Sequence, residues 1–353
     1  MPVELLCFDL KSPDDLTELR SAIMRINPDR IRRLALLMKV SGEYQDGSRE
    51  RARAAVHMLL SATNLDRHTE FVTVVGCEGA STPCGYALID ILAETKLDLG
   101  EPGLAIGLAR NESPPENALG TVYSAMVVRR AVEEAMQDGK MTPDDVAVVI
   151  VNVPEPTTGD VRARSRRARA AAALGAGEAI GEIDGVLVTE ANILHKSSLF
   201  THRVQTFTGP AIKNVEVIVI GNLKNAGGNL FACSTVTTDL FDGRSIKRML
   251  VERGFTLDSV GEIEHSDRIV AIIAKSGVSP DGFVTGAPTT IFGSAIPPEK
   301  HVRAALSGMV GATLHTTRVF STFDPVQQAP LGGGTICCIV REAPDKLADK
   351  GFP

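Results

Sequence analysis

The chain has 353 residues, which at roughly 150 residues per domain is enough for two or three domains with cores of their own. Its hydrophobic fraction of 44% and charged fraction of 23% are typical of a folded globular protein and exclude a disordered tail. A net charge of −6, no Trp and only 3 Tyr and 12 Phe argue against a nucleic acid or an anionic membrane as the main partner, so we expect a small ligand.

The longest apolar runs, such as residues 146–151 and 217–220, are far shorter than the roughly 20 residues that cross a bilayer. The first six residues indicate a strand and lack the zones of a signal peptide. Six cysteines without a CxxC pair are typical of reduced, mostly buried thiols. We therefore predict a cytoplasmic protein that does not bind membranes.

A similar series of elements occurs three times along the chain. Each series opens with a short apolar strand, at residues 3–10, 104–109 and 230–236. A helix that begins at Ser, Asp or Pro follows each strand, at residues 12–23, 113–136 and 242–252. A strand followed by a helix is the opening of an α/β unit.

Each series continues with a second, continuously apolar strand, at residues 34–39, 146–152 and 269–275. An Ala-rich helix with an arginine near its start comes next, at residues 49–60, 169–180 and 303–313. A third strand closes each series, at residues 71–76, 215–221 and 316–320. The pattern predicts an α/β protein of three pseudo-equivalent domains, about residues 1–99, 100–223 and 224–353.

The three continuously apolar strands each end at one polar residue, namely Lys39, Asn152 and Lys275. A continuous apolar run is typical of a strand covered on both faces, and sites tend to form where such strands end. A lysine in a crowded, desolvated place near other cations loses affinity for its proton, and can then act as a base toward a hydroxyl. Lys39 and Lys275 are therefore candidate catalytic residues.

Arginines and hydroxyls recur beside these strand ends. The arginine fork suits carbonyl or oxyanion oxygens, and the candidates on the second helices are Arg49, Arg169 and Arg303. The candidate hydroxyls are Ser81 or Thr82 in the first series and Ser321 or Thr322 in the third. Singly, each of these residues is more often an ordinary strand-end charge or turn residue, and the repetition in matching places is what indicates a site.

Several motifs are absent from the sequence. There is no HExxH, no GxxxxGK[ST], no GxGxxG after a strand, and neither GxSxG nor SxxK. A recognisable catalytic zinc, a nucleotide-phosphate loop and the commonest serine hydrolases are thereby excluded. Catalysis must then come from residues that are brought together across the three domains.

The repeated polar trios, with EGASTP at residues 78–83, AKSGVSPDG at 274–282 and PLGGG at 330–334, resemble the cyanuric acid hydrolase and barbiturase family of ring-opening cyclic amide hydrolases. The resemblance extends along nearly the whole chain. It implies three similar domains around a pseudo-threefold axis, with one Lys, one Arg and one Ser of each converging on a flat ring. It also implies a Ser-Lys dyad that attacks a ring carbonyl, no cofactor, and a homo-oligomer, a tetramer.

Carried over by position, the family's residues fall on Lys39, Arg49 and Thr82 with Ser81 adjacent, and on Lys275, Arg303 and Ser321 or Thr322. The middle domain departs from the family. Arg169 matches, but Asn152 stands in place of the lysine, and Thr206 and Thr208 are the only hydroxyls shortly before Gly209. We assign Asn152 and Thr208, with the three arginines, to substrate binding.

The resemblance, together with the departures of the middle domain from the family's pattern, predicts ring opening of a small cyclic amide or imide other than cyanuric acid. Two alternatives stay open: a non-hydrolytic isomerase or tautomerase that uses a lysine for proton transfer, and a ligand-binding relative. Family members often hold a structural Mg²⁺ with a glutamate two residues after the third lysine. That position is Gly277 here, so we predict no metal.

Overall fold

The computed structural model describes residues 3–43, 46–92, 102–209, 211–293 and 295–342. The first repeat unit contains four strands and two helices: β1 (Val3–Asp9), α1 (Thr17–Ile26), β2 (Ile31–Val40), α2 (Ser48–Ala62), β3 (Glu70–Cys77) and β4 (Cys84–Ile91). The helix α1 buries one face through Leu19, Ala22 and Ile23, which follows the spacing of an amphipathic helix.

The middle and third units have the same order of elements. The middle unit contains β5 (Gly103–Asn111), α3 (Val122–Gly139), β6 (Val146–Pro154), α4 (Val161–Ala179), β7 (Val204–Gly209) and β8 (Val215–Leu223). The third contains β9 (Leu230–Thr237), α5 (Gly243–Glu252), β10 (Ile269–Ser276), β11 (Phe283–Val284), β12 (Ala287–Pro288), α6 (Pro298–Leu314), β13 (Phe320–Phe323) and β14 (Gly334–Arg341). The small hairpin β11–β12 is an addition of the third unit.

Each unit forms one four-stranded mixed sheet with the same topology. The strand orders are β1-β4-β2-β3, β5-β8-β6-β7 and β9-β14-β10-β13. In every sheet the second and third strands are parallel, and the last strand lies antiparallel between the first and second. The predicted α/β fold of three similar units is thereby confirmed.

Two sequence predictions about the third strands were wrong. Residues 215–221 belong to the fourth strand of the middle unit, β8, and the third strand is β7. Residues 316–320 reach β13 only at Phe320. The continuously apolar β8 gives a stronger pattern than β7, which is interrupted by Gln205, Thr206 and Thr208.

The three sheets share one central core. Alternate residues of β2, β6 and β10 point inward, and their apolar side chains join a single cluster that includes Leu37, Ile150, Ile273 and Phe320. The opposite face of each sheet packs on the helices of its own unit in a separate cluster. Because both faces are covered, these strands are continuously apolar. Within the described ranges, no helix is long and apolar enough to cross a bilayer.

Candidate active site

A cleft of about 910 Å³ opens where the three units meet. The carboxyl ends of β3, β6, β7, β10 and β13 line it, together with α2, α4 and α6. Six of the residues predicted from the sequence are in its lining: Lys275, Arg49, Arg169, Arg303, Asn152 and Thr208. Thr322 also lines the cleft, whereas four other candidates lie outside its lining: Lys39, Ser81, Thr82 and Ser321.

Side-chain alternation along the strands explains why the three polar strand ends converge. Each lies two residues after a member of the central core, and so points to the same inner face: Lys39 after Leu37, Asn152 after Ile150 and Lys275 after Ile273. All three are buried, with 2%, 1% and 2% of their surfaces exposed. One end of the shared core is therefore polar.

Each of these residues donates a hydrogen bond to a third-strand carbonyl of a neighbouring unit. The bonds run from Lys39 to Ser321, from Asn152 to Thr73 and from Lys275 to Thr206. The first unit thus reaches the third, the middle unit reaches the first, and the third reaches the middle. The contacts follow the pseudo-threefold arrangement of the sheets.

Lys275 has the setting of a lysine that gives up its proton. Its Nζ donates to the Thr206 carbonyl at 2.8 Å and lies 4.4 Å from the centre of the Phe207 ring. Burial lowers its pKa well below the usual value, and Arg169 lowers it further, while Asp324 acts in the opposite direction. An uncharged amine is the form that can accept a proton.

Thr322 is the hydroxyl residue beside Lys275. The two residues are directly opposite in the parallel pairing of β10 with β13, so their side chains leave the same face of the sheet. The Thr322 hydroxyl donates a long, 3.4 Å hydrogen bond to the Ala274 carbonyl. Of the two alternatives that the sequence left open in the third unit, Thr322 lies at the cleft.

Ser321 points to the opposite, helix-covered face and is fully buried. Its Oγ lies 3.1 Å from that of Ser81 and 2.8 Å from that of Ser307 on α6, and Ser81 and Ser307 are 3.0 Å apart. Thr82 instead bonds the Thr317 hydroxyl at 2.7 Å. Ser307 was missed by sequence reasoning, because a serine inside a helix gives no local signal of a cluster.

The side chain of Lys39 contacts the backbone of this serine cluster. Its Nζ donates to the carbonyls of Ser321 and, at 3.0 Å, of Cys77. Burial lowers the pKa of Lys39 to about 7, and the nearby Arg303 charge acts in the same direction. Lys39 is thus a second buried lysine of low proton affinity, set back from the cleft.

Two of the three arginines are paired with carboxylates that the sequence analysis did not identify. Arg303 on α6 bonds Glu78, and Arg169 on α4 bonds both Asp324 and, at 3.0 Å, the Thr208 hydroxyl. Glu78 and Asp324 each follow a third strand directly and have φ of 61° and 63°. A carboxylate in the residue after the third strand was the signal that could have revealed them.

The Asp324 carboxylate remains ionised in this buried position. Burial alone would raise its pKa, but the charges of Arg169 and Arg166 hold the pKa below its usual value. Arg166 Nε lies 3.3 Å from the carboxylate. One prediction about Arg169 was wrong, because α4 begins at Val161 and this arginine lies in the middle of the helix. Residues 161–168, which contain four further arginines, belong to the same helix.

A family model described as amidohydrolase ring-opening protein, of the AtzD-TrzD type, matches residues 4–341. The chain belongs to this ring-opening amidohydrolase family. The cyanuric acid amidohydrolase of Rhizobium leguminosarum is 28% identical over 328 residues, covering 88% of this chain and 90% of the relative. A cyclic amide hydrolase of Azorhizobium caulinodans is 27% identical over 365 residues, covering 94% and 97%.

Solved structures of two cyanuric acid hydrolases have the same fold as this ring-opening amidohydrolase. The one from A. caulinodans superposes with a TM-score of 0.83 at 26% identity, covering 97% of this chain and 99% of that one. The other, described as an evolutionary innovation by structural concatenation, gives 0.87 at 25% identity with the same coverage. The repeated sheets therefore correspond to the concatenated units of the family.

At the middle unit's strand end, this family member has a buried ion network where the first and third units have a lysine. Asn152 Nδ2 donates to Glu216 at 3.0 Å, and Arg53 from α2 bonds both oxygens of the same carboxylate, at 2.8 and 3.0 Å. Arg110 adds a contact of 3.4 Å. An amide has no proton affinity at neutral pH, so Asn152 can form hydrogen bonds but cannot act as a base.

The part of the chain beside the last Gly-rich turn offers no carboxylate to the structural Mg²⁺ that the family resemblance implies. Gly277 supplies no carboxylate, and within the described ranges no group of three or more His, Cys, Asp or Glu side chains could hold a metal. The carbonyls of Gln327, Gln328 and Pro330 already accept hydrogen bonds from within the chain, at 3.0, 2.8 and 3.0 Å. No catalytic step is assigned to a metal here.

Proposed function

We propose that the protein opens the ring of a small cyclic amide or imide other than cyanuric acid, with Thr322 as nucleophile and Lys275 as its base. The observation that carries the proposal is the direct pairing of these two residues on neighbouring parallel strands at the cleft. Paired strands are about 4.8 Å apart, so the two side chains leave the same face of the sheet from neighbouring positions. Family membership supports the reaction class.

In the proposed reaction, the uncharged Lys275 amine takes the proton of the Thr322 hydroxyl while Oγ1 bonds to a ring carbonyl carbon. The ring C–N bond then breaks, and the departing nitrogen takes the proton from the lysine ammonium. Water attacks the resulting ester, releases the ring-opened acid and restores the Thr322 hydroxyl. The Lys275 bond to the Thr206 carbonyl holds the amine in place through both steps.

Arg169 and Arg303 support the proposal because they can stabilise the negative charge that develops on the attacked carbonyl oxygen. Both line the cleft near Lys275, and their charges favour its uncharged form. Preorganised cationic donors stabilise a tetrahedral oxyanion more than the neutral carbonyl of the substrate. The paired carboxylates Asp324 and Glu78 fix the arginine forks in position.

The exclusion of cyanuric acid rests on the middle unit. Relatives named cyanuric acid amidohydrolases act on a ring that is itself threefold symmetric. Here Asn152 and its buried Glu216 partner break the equivalence of the three units. An asymmetric site fits an asymmetric ring better, since each ring position meets a different set of donors and acceptors.

The test is a substrate panel of cyclic imides, ureides, cyanuric acid and enolisable keto acids, followed by ring absorbance and by carboxylate release. We expect ring opening of at least one asymmetric amide and none of cyanuric acid. An absorbance change without carboxylate release would show an isomerase or tautomerase instead. Tight binding with neither signal would show a ligand-binding relative, and either result would overturn the proposal.

Matched variants assign the nucleophile. Thr322→Val keeps the shape of the side chain and removes the hydroxyl, so we expect turnover to fall by at least about a hundredfold, the lower end of what a reacting group contributes. Thr322→Ser keeps a hydroxyl and should remain active. If Ser321→Ala abolishes turnover while Thr322→Val does not, the Lys39 and Ser321 pair performs the chemistry and the assignment of Thr322 is wrong.

A further inference from the structure

The third unit lines the cleft with a segment that has no equivalent in the other two units. Between its second strand and its second helix, residues 277–297 include the hairpin β11–β12, whereas residues 41–47 and 155–160 make the same connection in the first and middle units. Val278, Pro280 and Phe292 of this insertion are in the lining of the cleft. The insertion therefore shapes one side of the site.

The insertion packs against the last Gly-rich turn. Gly277, where the insertion begins, donates from its backbone to the Gly333 carbonyl at 3.1 Å. Further along the insertion, the Phe292 ring packs on Gly282, where an added Cβ would lie 2.7 Å from a carbon of the ring. Leu331 of the turn also lines the cleft. The two segments thus form one continuous side of the cleft.

Large apolar side chains are exposed on this side of the cleft. Its apolar lining residues, which we call the apolar wall, are Val278, Pro280, Phe292, Pro330 and Leu331. Phe292 is 44% exposed and Leu331 is 55% exposed. Single exposed apolar side chains are ordinary on a protein surface, but apolar side chains grouped in a concave site are typical of a ligand-binding groove.

Most charged side chains of the cleft are paired with one another. The pairs are Arg53 with Glu216, Arg162 with Glu299, Arg166 and Arg169 with Asp324, Lys300 with Glu43, and Arg303 with Glu78. A paired cation must exchange one partner for another to bind a charged group of a ligand, which reduces the net gain. Burial of an apolar group against the apolar wall requires no such exchange.

The apolar wall begins beside Lys275 and Thr322. Ser276 directly follows Lys275, and its carbonyl accepts a hydrogen bond from the Asp324 backbone at 3.2 Å; Val278 lies two residues further on. The whole cleft has a volume of about 910 Å³, near the upper end of the roughly 300–1,000 Å³ of clefts that hold drug-sized ligands. One small ring at Lys275 fills only part of this volume, so there is room for a group attached to the ring.

We propose that the substrate is a cyclic amide with an apolar substituent about as large as a phenyl group, and that this substituent packs on the apolar wall against Phe292 and Leu331. The amide of the ring then faces Lys275 and Thr322. Burial of the substituent removes apolar surface of the ligand and of the wall from water, which favours binding. This inference rests on the proposed ring-opening function and adds the chemical class of its substrate.

The test compares two pairs of rings by calorimetry: hydantoin with 5-phenylhydantoin, and succinimide with phenylsuccinimide. We expect the phenyl-bearing ring of at least one pair to bind about tenfold tighter or better, which is the gain from burying an apolar group of this size. Its binding should also have the more negative heat capacity change, the mark of apolar burial. Equal or weaker binding of both phenyl-bearing rings, or tighter binding without that heat capacity change, would overturn the inference.

Two phenylalanines of the insertion provide matched variants. Phe292 and Phe283 are exposed to nearly the same extent, 44% and 42%, and of the two, Phe292 is in the described lining of the cleft. Phe292→Ala should therefore reduce the preference for the phenyl-bearing ring several-fold and leave binding of the unsubstituted ring unchanged. Leu331→Ala should act in the same direction, while Phe283→Ala should keep the preference.

Circular dichroism of the three variants shows whether they are folded. If folded Phe292→Ala and Leu331→Ala keep the full preference, or if Phe283→Ala loses it to the same extent, the substituent does not bind on the apolar wall and the inference is wrong.

The two proposals fail in different ways. A preference for the phenyl-bearing rings with no ring opening of any bound compound would overturn the proposed function and support the apolar binding place. Ring opening of unsubstituted amides with no phenyl preference would support the proposed function and overturn the substrate class. Binding and turnover are therefore measured on the same compounds, and for a ring that is opened the ratio of kcat/KM values replaces the ratio of dissociation constants.

Discussion

At the scale of single residues, the proposed site includes two buried lysines, and among the described residues no carboxylate is bonded to either ammonium. Both instead donate to backbone carbonyls. Removing a lysine from water disfavours its charged form, and the cations Arg169 and Arg303 add to this effect at Lys275. The same burial supports the proposed role of Lys275 as a base, and it should make the stability of the protein depend on pH.

Lys275→Met should abolish turnover, because the side chain keeps its length and loses the proton acceptor. Lys275→Arg should be equally inactive, since a guanidinium stays charged. In the parent, kcat/KM should fall as the pH falls through the pKa of Lys275. Because burial lowers this pKa, the fall should occur well below the pH at which an ordinary lysine titrates. The measurement is a pH profile of kcat/KM with each variant assayed beside the parent.

Asp324→Asn provides the control for that profile. The Asp324 charge opposes the shift of Lys275, so removing the charge lowers the pKa of the lysine further. The acid limb of the profile should therefore move to lower pH. A limb that stays in place, or moves upward, would mean that another group is the base.

Lys39 should make the stability of the parent rise with pH between about 7 and 10. Its pKa is about 7 in the fold and about 10.4 when unfolded, so over this range the unfolded chain binds more protons and unfolding becomes less favourable as pH rises. Denaturant unfolding at several pH values should show a slope steeper than that of Lys39→Met by up to ~1.4 kcal/mol per pH unit. Equal slopes would mean that Lys39 keeps its usual proton affinity.

The sequence predicted those residues of the cleft whose signal is local. Lys275 and Asn152 could be predicted to lie there because each interrupts a continuously apolar run near the end of its strand. Glu78 and Asp324 have a local signal in their place directly after a third strand, but their pairing with arginines depends on contacts between different units. The choice of Thr322 over Ser321 needed the register of β13, which decides the face on which each side chain lies.

At the scale of elements, the strand and helix patterns were predictable where burial is complete. The strand β2 is apolar over most of its length because the central core covers one face and helices cover the other. The strand β7 is polar at Gln205 and Thr206, whose side chains donate to the Thr335 carbonyl of the third unit and to the Arg169 carbonyl of α4. Because these buried side chains form hydrogen bonds instead of apolar contacts, β7 lacks the continuous apolar pattern that indicates a buried strand. The sequence analysis therefore assigned the apolar β8 as the third strand.

The packing of α4 on α3 gives a prediction about two glycines. A Cβ on Gly175 would lie 2.1 Å from the Ala125 carbonyl oxygen, whereas a Cβ on Gly308 in α6 would meet nothing within 4 Å. Alanine favours a helix over glycine by roughly 1 kcal/mol. We therefore expect Gly308→Ala to raise the melting temperature and Gly175→Ala to lower it.

Thermal unfolding of the two variants beside the parent measures this difference. The two substitutions are chemically identical and both lie inside helices, so helix propensity alone predicts the same gain for each. Opposite shifts would show that close approach of α3 and α4 requires glycine. A gain at Gly175 would mean that the two helices can separate at little expense.

At the scale of the whole molecule, the same fold occurs three times, but each unit contributes a different polar residue to the central cleft or its surroundings. The first unit supplies a buried lysine set back from the cleft, the third supplies a lysine at the cleft, and the middle supplies Asn152. The residues at the ends of the third strands differ as well, with Glu78 in the first unit, Gly209 in the middle unit and Asp324 in the third. The middle unit is the exception in both respects, and it marks one side of the cleft as different from the others.

This asymmetry predicts that Asn152→Lys will not produce a cyanuric acid hydrolase. A lysine at this place would face the Glu216 carboxylate that now accepts a bond from Asn152, and a neighbouring negative charge keeps a lysine protonated. The hydroxyls of β7 are also engaged, because Thr206 donates to the Arg169 carbonyl and Thr208 accepts from the Arg169 guanidinium. The variant would gain a cation and neither a base nor a nucleophile.

Cyanuric acid turnover by the parent, Asn152→Lys and the double variant Asn152→Lys with Glu216→Gln checks this. The double variant removes the carboxylate, so its lysine should lose proton affinity, yet it should remain inactive because no hydroxyl is released from Arg169. Activity of the double variant alone would show that the lysine was the missing group. Turnover by the parent at about 1 to 10³ per second, the usual range of enzymes, would show that Asn152 does not prevent the reaction at all.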